Sequence, residues 1–140
     1  MLSQTLLTLA LGATSSAHFI LQWPPTAGFV DDDEPTSPCG GATVQVNSSS
    51  PQVQVDRFAI SIFSSHPAGS WKFMGTTATE EPYNWQDLTP VVNTTGTGTF
   101  CLSYMHAPED FAGKAGIIQV MDSSVDGTLY QVCVFLAQAI

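Results

Sequence analysis

Three histidines are the residues of this chain best suited to hold a metal ion, and His18 occupies a special position among them. It directly follows a stretch that is typical of a secretory signal. If a signal peptidase cuts between Ala17 and His18, the mature protein begins with a histidine that offers one ion both its free α-amine and its ring nitrogen. Copper(II) favours amine and imidazole nitrogens. The arrangement therefore predicts a copper chelate.

The signal interpretation rests on residues 2–14, which contain a short apolar core, and on the small residues that follow. Ser15 and Ala17 give the small-x-small pattern that the peptidase needs, and the core is too short to span a bilayer. The region before the core has no Lys or Arg, which is unusual for a signal. We expect residues 1–17 to be a signal peptide and residues 18–140 to be a mature protein found outside the cell or in the cell wall.

The composition excludes several classes of function. Only Arg57, Lys72 and Lys114 oppose 12 acidic residues, and the net charge is −9. This balance argues against nucleic-acid or phosphate binding and favours a soluble extracellular protein that accumulates cations. No second apolar run is long enough to cross a membrane. Two N-glycosylation sequons, at Asn47 and Asn93, agree with the secretory route and predict a glycoprotein.

Short β-rich segments recur along the mature chain, separated by Gly, Pro, Ser and Asn. They are residues 43–46, 52–55, 58–63, 70–74, 98–104, 115–121 and 129–136. Such spacing predicts an all-β protein, a single antiparallel β-sandwich domain with no helix longer than a turn or two. Residues 80–88 could supply one short turn. Another strand begins at His18 and is stopped by Pro24 and Pro25, which would fix the amine in a sheet.

A copper site built on His18 needs a third nitrogen, and two histidines could supply it. His66 lies in a turn after the segment 58–63, and His106 follows the segment 98–104. A lone loop histidine is more often simply exposed, so the residues alone leave both choices open.

Other conspicuous residues have plainer interpretations. The tryptophans Trp23, Trp71 and Trp85 could form a carbohydrate platform, but core packing is favoured. The acidic run 31–34 is interpreted as a solvated loop that could recruit cations. Cys39, Cys101 and Cys133 allow three disulfide pairings, and the absence of a CxxC pair argues against zinc.

Several motifs occur in a fixed order along the chain. They are His18-Phe19-x-Leu21-x-x-Pro24-Pro25-x-x-Gly28-Phe29, Pro38-Cys39-Gly40-Gly41, Ser65-His66-Pro67, Asn84-Trp85-x-x-Leu88-x-Pro90-Val91-Val92, Gly98-x-Phe100-Cys101-Leu102, Phe111-Ala112-Gly113-Lys114-x-Gly116-x-Ile118-Gln119-Val120 and Asp126-Gly127-x-Leu129-Tyr130-Gln131. In this order they resemble the copper acquisition factors, fungal secreted copper-binding proteins related to lytic polysaccharide monooxygenases. The resemblance implies an immunoglobulin-like β-sandwich in which His18 and His66 form a histidine brace on copper(II). His106 is then an ordinary loop residue.

The resemblance also implies a carboxylate near the copper. Asp126 matches the family motif and is expected there, with Asp110 and Asp122 as alternatives. Because an Asp-Gly pair is also a strong hairpin signal, Asp126 as a plain turn residue stays open. A carboxylate beside the ion would favour copper(II) and could block the position that oxygen needs, which argues against redox catalysis.

The chain departs from the family pattern at Val132, which separates Gln131 from Cys133. The resemblance implies a Cys39–Cys133 disulfide, but one inserted residue turns later side chains to the other face of a strand unless a bulge absorbs it. Cys101 is therefore an alternative partner. The family's usual C-terminal anchor signal is missing after the last predicted strand, so we expect a freely secreted protein or a truncated sequence.

These observations predict a monomeric copper(II)-binding protein that serves copper capture or delivery, or interaction with the cell wall, without oxidising polysaccharide. A cell-wall polysaccharide and a copper transporter are candidate partners. One alternative is a copper-dependent lytic polysaccharide monooxygenase. Another is a structural cell-wall sandwich whose histidines bind nothing important.

Overall fold

The fold is a two-sheet β-sandwich, given by a computed structural model that describes residues 17–124 and 127–138. Nearly all of the predicted signal peptide lies outside the described residues. The strands are β1 (Phe19–Trp23), β2 (Gln52–Gln54), β3 (Phe58–Ser64), β4 (Ala68–Thr76), β5 (Gln86–Asp87), β6 (Val92–Thr95), β7 (Gly98–Met105), β8 (Ala115–Ser124) and β9 (Gly127–Gln138). The described part of the chain has no α-helix, only 3-10 turns at Asp31–Asp33 and Glu109–Phe111.

The strands form a small sheet and a larger one. The small sheet has the order β1-β3-β7, and the larger has the order β2-β9-β8-β4-β5, with β6 also paired to β4. All pairs are antiparallel except β2 with β9. The predicted all-β sandwich is therefore confirmed.

The core lies between the two sheets because alternate residues of each strand face inward. Phe19 of β1 meets Trp71 of β4 edge to face, with ring centroids 5.1 Å apart. Ile62 of β3 and Val120 of β8 are completely buried in the same cluster. This packing fixes the start of β1, and with it His18, against both sheets.

Most of the predicted strands are present, with informative exceptions. Residues 43–46 alternate in exposure but pair with no strand, and Val44 instead packs over the outer face of the larger sheet. Residues 80–88 form no helix but contain the short strand β5. As predicted, β1 ends at Trp23, directly before the two prolines. No helix of the described residues is long and apolar enough to cross a membrane.

Candidate metal centre

Pairing of β1 with β3 brings His18 and His66 to the same end of the small sheet. Phe19 lies opposite Ser64, so the residues next to that pair, His18 and Ser65, are also neighbours. The Ser65 amide donates to the His18 carbonyl oxygen at 2.9 Å, and the His18 backbone nitrogen donates to Ser65 Oγ at 2.8 Å. His66 is the next residue of the chain. The two predicted brace histidines are therefore close at the backbone, with His66 one residue beyond the position that adjoins His18.

His66 is buried against a carboxylate. Its ring is almost wholly enclosed, and its Nδ1 lies 2.5 Å from Oδ2 of Asp122. Oδ1 of Asp122 accepts a hydrogen bond from the Ser70 amide at 3.1 Å, which holds the carboxylate in place. Burial raises the pKa of Asp122, and the His66 ring partly opposes that rise. A carboxylate on Nδ1 orients a histidine so that its Nε2 is free for a metal.

Neither ring nitrogen of His66 makes an aligned hydrogen bond within the described structure. Nδ1 nevertheless has the Asp122 carboxylate beside it, whereas Nε2 has no polar partner in the described structure. Buried polar atoms are nearly always satisfied, so a bare Nε2 needs an explanation. A metal ligated by Nε2 would supply one. A cavity of about 560 Å³, lined by His66 and by polar groups such as Ser70, Asn93 and Ser123, lies beside the ring.

The His18 ring faces Asp31, at the start of the first 3-10 turn, and Glu34, the residue directly after that turn. Its Nδ1 lies 2.7 Å from Oδ1 of Asp31 and 3.6 Å from Oε2 of Glu34. Phe29 approaches the same ring edge-on, with centroids 6.5 Å apart. Among the described side chains, His18, Asp31 and Glu34 form the one cluster of three potential ligands whose atoms all lie within 4.8 Å of one another.

Glu34 is held by a network that ties β1 to β9. Its Oε1 accepts hydrogen bonds from the Phe19 amide at 3.4 Å and from Nε2 of Gln131 at 2.9 Å. Gln131 also donates to the Phe19 carbonyl and accepts from the Leu21 amide. The Tyr130 amide donates to the Glu34 carbonyl at 2.9 Å. Burial raises the pKa of Glu34, although these hydrogen bonds oppose the rise.

The other residues singled out from the sequence have varied positions. Asp126, the carboxylate expected from the motif, lies outside the described residues, so its role stays a prediction. Asp110 is exposed in the second 3-10 turn. Asp122, the other alternative, is the buried partner of His66. His106 is an exposed residue after β7, as expected.

Asp31 and Glu34 were not named as individual ligands from the sequence, because the run 31–34 was interpreted only as a solvated loop that could recruit cations. In a 3-10 turn, residues three apart lie on the same side, which brings these two carboxylates to one face. The three-residue spacing is visible in the sequence. Only the burial of Glu34 distinguishes it from an ordinary solvated acid, and that burial depends on tertiary packing.

The tryptophans form no flat platform. Core packing is confirmed for Trp71, which is fully buried, whereas Trp23 is 48% exposed and the prediction is wrong there. Trp23 is the last residue of β1, beyond the point where the sheets cover the strand. Trp85 is half-buried and tilts against Tyr83, with centroids 5.3 Å apart.

Cys39 is a buried free thiol and Cys101 an exposed one. Strands β8 and β9 pair without a bulge, so the inserted Val132 is accommodated in the regular register and packs against Cys39 and Ile117. The described structure contains no disulfide at Cys39 or Cys101, and the side chain of Cys133 lies outside it.

Comparison with known proteins agrees with the fold and supports a copper-related function. A family model described as a BIM1-like copper acquisition factor domain matches residues 16–136. The chain is similar to lytic polysaccharide monooxygenase-like protein X325 of Yarrowia lipolytica, with 29% identity over 130 residues, 84% of this chain and 48% of that protein. The chain thus spans about half the length of this relative.

The fold is also similar to that of a solved structure, the catalytic domain of a lytic polysaccharide monooxygenase from Listeria monocytogenes. The TM-score is 0.54 and the identity 16%, over 88% of this chain and 99% of that domain. At this identity the likeness concerns the fold alone, an immunoglobulin-like β-sandwich of the monooxygenase type.

Proposed function

Since the chain belongs to the BIM1-like copper acquisition factor family, which supports a copper-related function, we propose that it binds one copper(II) ion through His18 and His66. The α-amine and the ring of His18 would supply two nitrogens and the ring of His66 a third. A carboxylate of Asp126, the motif residue, would stand close to the ion, with Asp122 as the alternative already in contact with His66.

The observation that carries this proposal is the pairing of β1 with β3, which makes His18 and Ser65 neighbours. Ser65 Oγ accepts from the backbone nitrogen that becomes the α-amine after cleavage at Ala17. A primary amine keeps hydrogens for that bond while its lone pair ligates a metal. Ser65 would thereby position the amine for the ion.

The protein's role is copper capture or delivery, or interaction with the cell wall, and it does not oxidise polysaccharide. Asp31, Glu34 and Asp122 place carboxyl groups beside both histidines. A carboxylate close to the ion would favour copper(II) over copper(I). Trp71 is buried, so an aromatic platform for a flat polysaccharide is not available from it. The partner is a copper transporter, which would give or receive the ion, or a cell-wall polysaccharide to which the protein binds.

Secretion as a monomer accompanies this function. Cleavage after Ala17 creates the amine, and the sequon residues Asn47 and Asn93 are both exposed, as glycosylation requires. Few cations and a net charge of −9 keep the protein away from nucleic acid and attract metal ions.

Copper binding is tested by calorimetric titration of the secreted protein, whose N-terminus is first identified by mass spectrometry. We expect a start at His18, one Cu(II) per chain, and a loss of at least about tenfold in affinity for His66→Ala, since a ligand contributes no less than an outer-shell partner. His106→Ala is the matched control, because that histidine is exposed in a loop. Equal affinity for both variants would refute the site.

One second candidate function is a copper monooxygenase, favoured by the similarity of the fold to a monooxygenase catalytic domain. In that case a reductant and a polysaccharide, incubated with the copper-loaded protein, would give oxidised sugars. We expect none above the level found with His66→Ala.

A further inference from the structure

Glu34 is a buried carboxylate with an unusual environment. Its side chain is only 1% exposed. Within the described structure, the ion-pair partner of Glu34 is the His18 ring. Lys72 pairs instead with Asp87, and Arg57 lies over the Tyr104 ring. A buried carboxylate is costly to ionise unless it is paired or ligates a metal, so a cation near His18 would stabilise the charged form of Glu34.

The two oxygens of this carboxylate have different surroundings. Oε1 is fixed by the Phe19 amide and by Gln131. Oε2 is buried and has no hydrogen-bond partner in the described structure. The hydrogen bonds on one oxygen and those to the Glu34 backbone hold the other oxygen toward Nδ1 of His18. The carboxylate is therefore oriented in advance, as expected of a metal ligand.

Glu34 and Asp31 differ as potential ligands because their carboxylate oxygens lie at different distances from Nδ1 of His18. Two ligand atoms that each lie about 2 Å from one ion are roughly 2.8 to 4.2 Å apart, taking first-row metal distances. The 3.6 Å between Oε2 and Nδ1 falls inside that range. The 2.7 Å between Oδ1 of Asp31 and Nδ1 is shorter than that range and is a direct contact between the two groups instead. Asp31 is also largely exposed, at 57%.

We propose that Glu34 Oε2 is a direct ligand of the copper ion held by His18. Asp31 would then hold the ring only while the ion is absent, since both need Nδ1. This inference rests on the proposed function and adds a ligand from the 3-10 turn to the groups named there.

Direct ligation can be tested without any substitution. The chain has four glutamates, Glu34, Glu80, Glu81 and Glu109, so carboxylate ¹³C-labelled glutamate places the label at few positions. Pulsed EPR of the labelled, Cu(II)-loaded mature protein is expected to detect a ¹³C hyperfine coupling to copper. The coupling should vanish in labelled Glu34→Gln and persist in Glu109→Gln, whose residue is exposed after β7. No coupling in the labelled wild-type protein would overturn the proposal.

Affinity gives a second test. We expect Glu34→Gln, which keeps the size of the side chain, to weaken Cu(II) binding at least about tenfold. Asp31→Asn removes an exposed carboxylate and should change the affinity by less than about fivefold. If Glu34→Gln does not fold, the labelling result on the wild-type protein decides alone. An affinity for folded Glu34→Gln equal to that of Asp31→Asn would contradict direct ligation.

The two proposals fail in different ways. If the wild-type protein binds Cu(II) and depends on His66 but shows no glutamate coupling, only the role of Glu34 is wrong. If the wild-type protein binds no Cu(II), the proposed function and the role of Glu34 are both rejected.

Discussion

Asp122 provides the sharpest test of how His66 is prepared for a metal. Its carboxylate is fully buried and is contacted on two sides: Oδ1 accepts from the Ser70 amide, and Oδ2 lies 2.5 Å from Nδ1 of His66. A proton on Nδ1, facing this carboxylate, would leave the lone pair of Nε2 free for a metal. Replacing Asp122 with Asn keeps the shape but removes one of the two acceptors.

The expected loss of copper affinity follows from the two orientations that the Asn side-chain amide can adopt. If the Asn oxygen accepts from Ser70, its NH2 group faces His66 and drives the ring proton to Nε2, where it competes with the metal. If the oxygen faces His66, the part-buried Ser70 amide loses its acceptor, which costs about 1–3 kcal/mol. Copper binding through Nε2 requires the second arrangement, so we expect a loss of roughly 5- to 150-fold in affinity.

The assay is a competition titration of Cu(II) against a chelator of known affinity, at fixed pH, on mature protein whose fold is checked by circular dichroism. Asp110→Asn is the control, because that aspartate is exposed in a 3-10 turn. We expect the control to match the wild-type protein. Folded Asp122→Asn with the same affinity as the control would show that this carboxylate does not prepare the ring.

Further predictions concern the loop that carries Glu34, the buried thiol and the metal itself. Gly40 has φ of +59°, and a Cβ there would collide with the Tyr130 carbonyl oxygen, so Gly40→Ala should lower the unfolding free energy by at least about 1–3 kcal/mol. In denaturant titrations the loss should exceed that of Gly113→Ala, where φ is +74° but no atom is near; equal losses would exclude the collision. Burial raises the pKa of the Cys39 thiol above its ordinary 9.0. The folded protein therefore holds this proton more tightly than the unfolded chain, and the unfolding free energy should fall as pH rises above 9.0. Denaturation from pH 8 to 10 checks this, and Cys39→Ala should flatten the slope; an unchanged slope would assign it elsewhere. Free Cu(II) at 100 times its Kd should raise the unfolding free energy by about 2.7 kcal/mol, and no rise on titration would mean that the native state does not bind it.

Much of the framework is readable from the sequence because it depends on local patterns. Alternating apolar residues predict β3, β8 and β9, and the two prolines predict where β1 ends. These features need only the period of a strand and the missing N–H of proline. The short strands β5 and β6 were not predicted, because they are defined by their pairing with β4 rather than by any pattern of their own.

The site was predicted only in part, since side-chain environments depend on tertiary packing. The closeness of His18 and Ser65 requires the register of β1 against β3, which no local pattern encodes. The burial of Glu34 requires Gln131, almost a hundred residues along the chain, to approach it. A run of four acids is usually solvated, and here one of the four is enclosed by β1 and β9.

The proposed copper site requires that His18 is the first residue of the mature protein and that it shares one copper ion with His66. The most direct measurement is the EPR spectrum of the Cu(II)-loaded mature protein, compared with that of a protein carrying one additional residue before His18. We predict superhyperfine splitting from three nitrogens in the mature protein, with an altered spectrum and weaker binding in the extended protein. Identical spectra and affinities for the two proteins would contradict the claim.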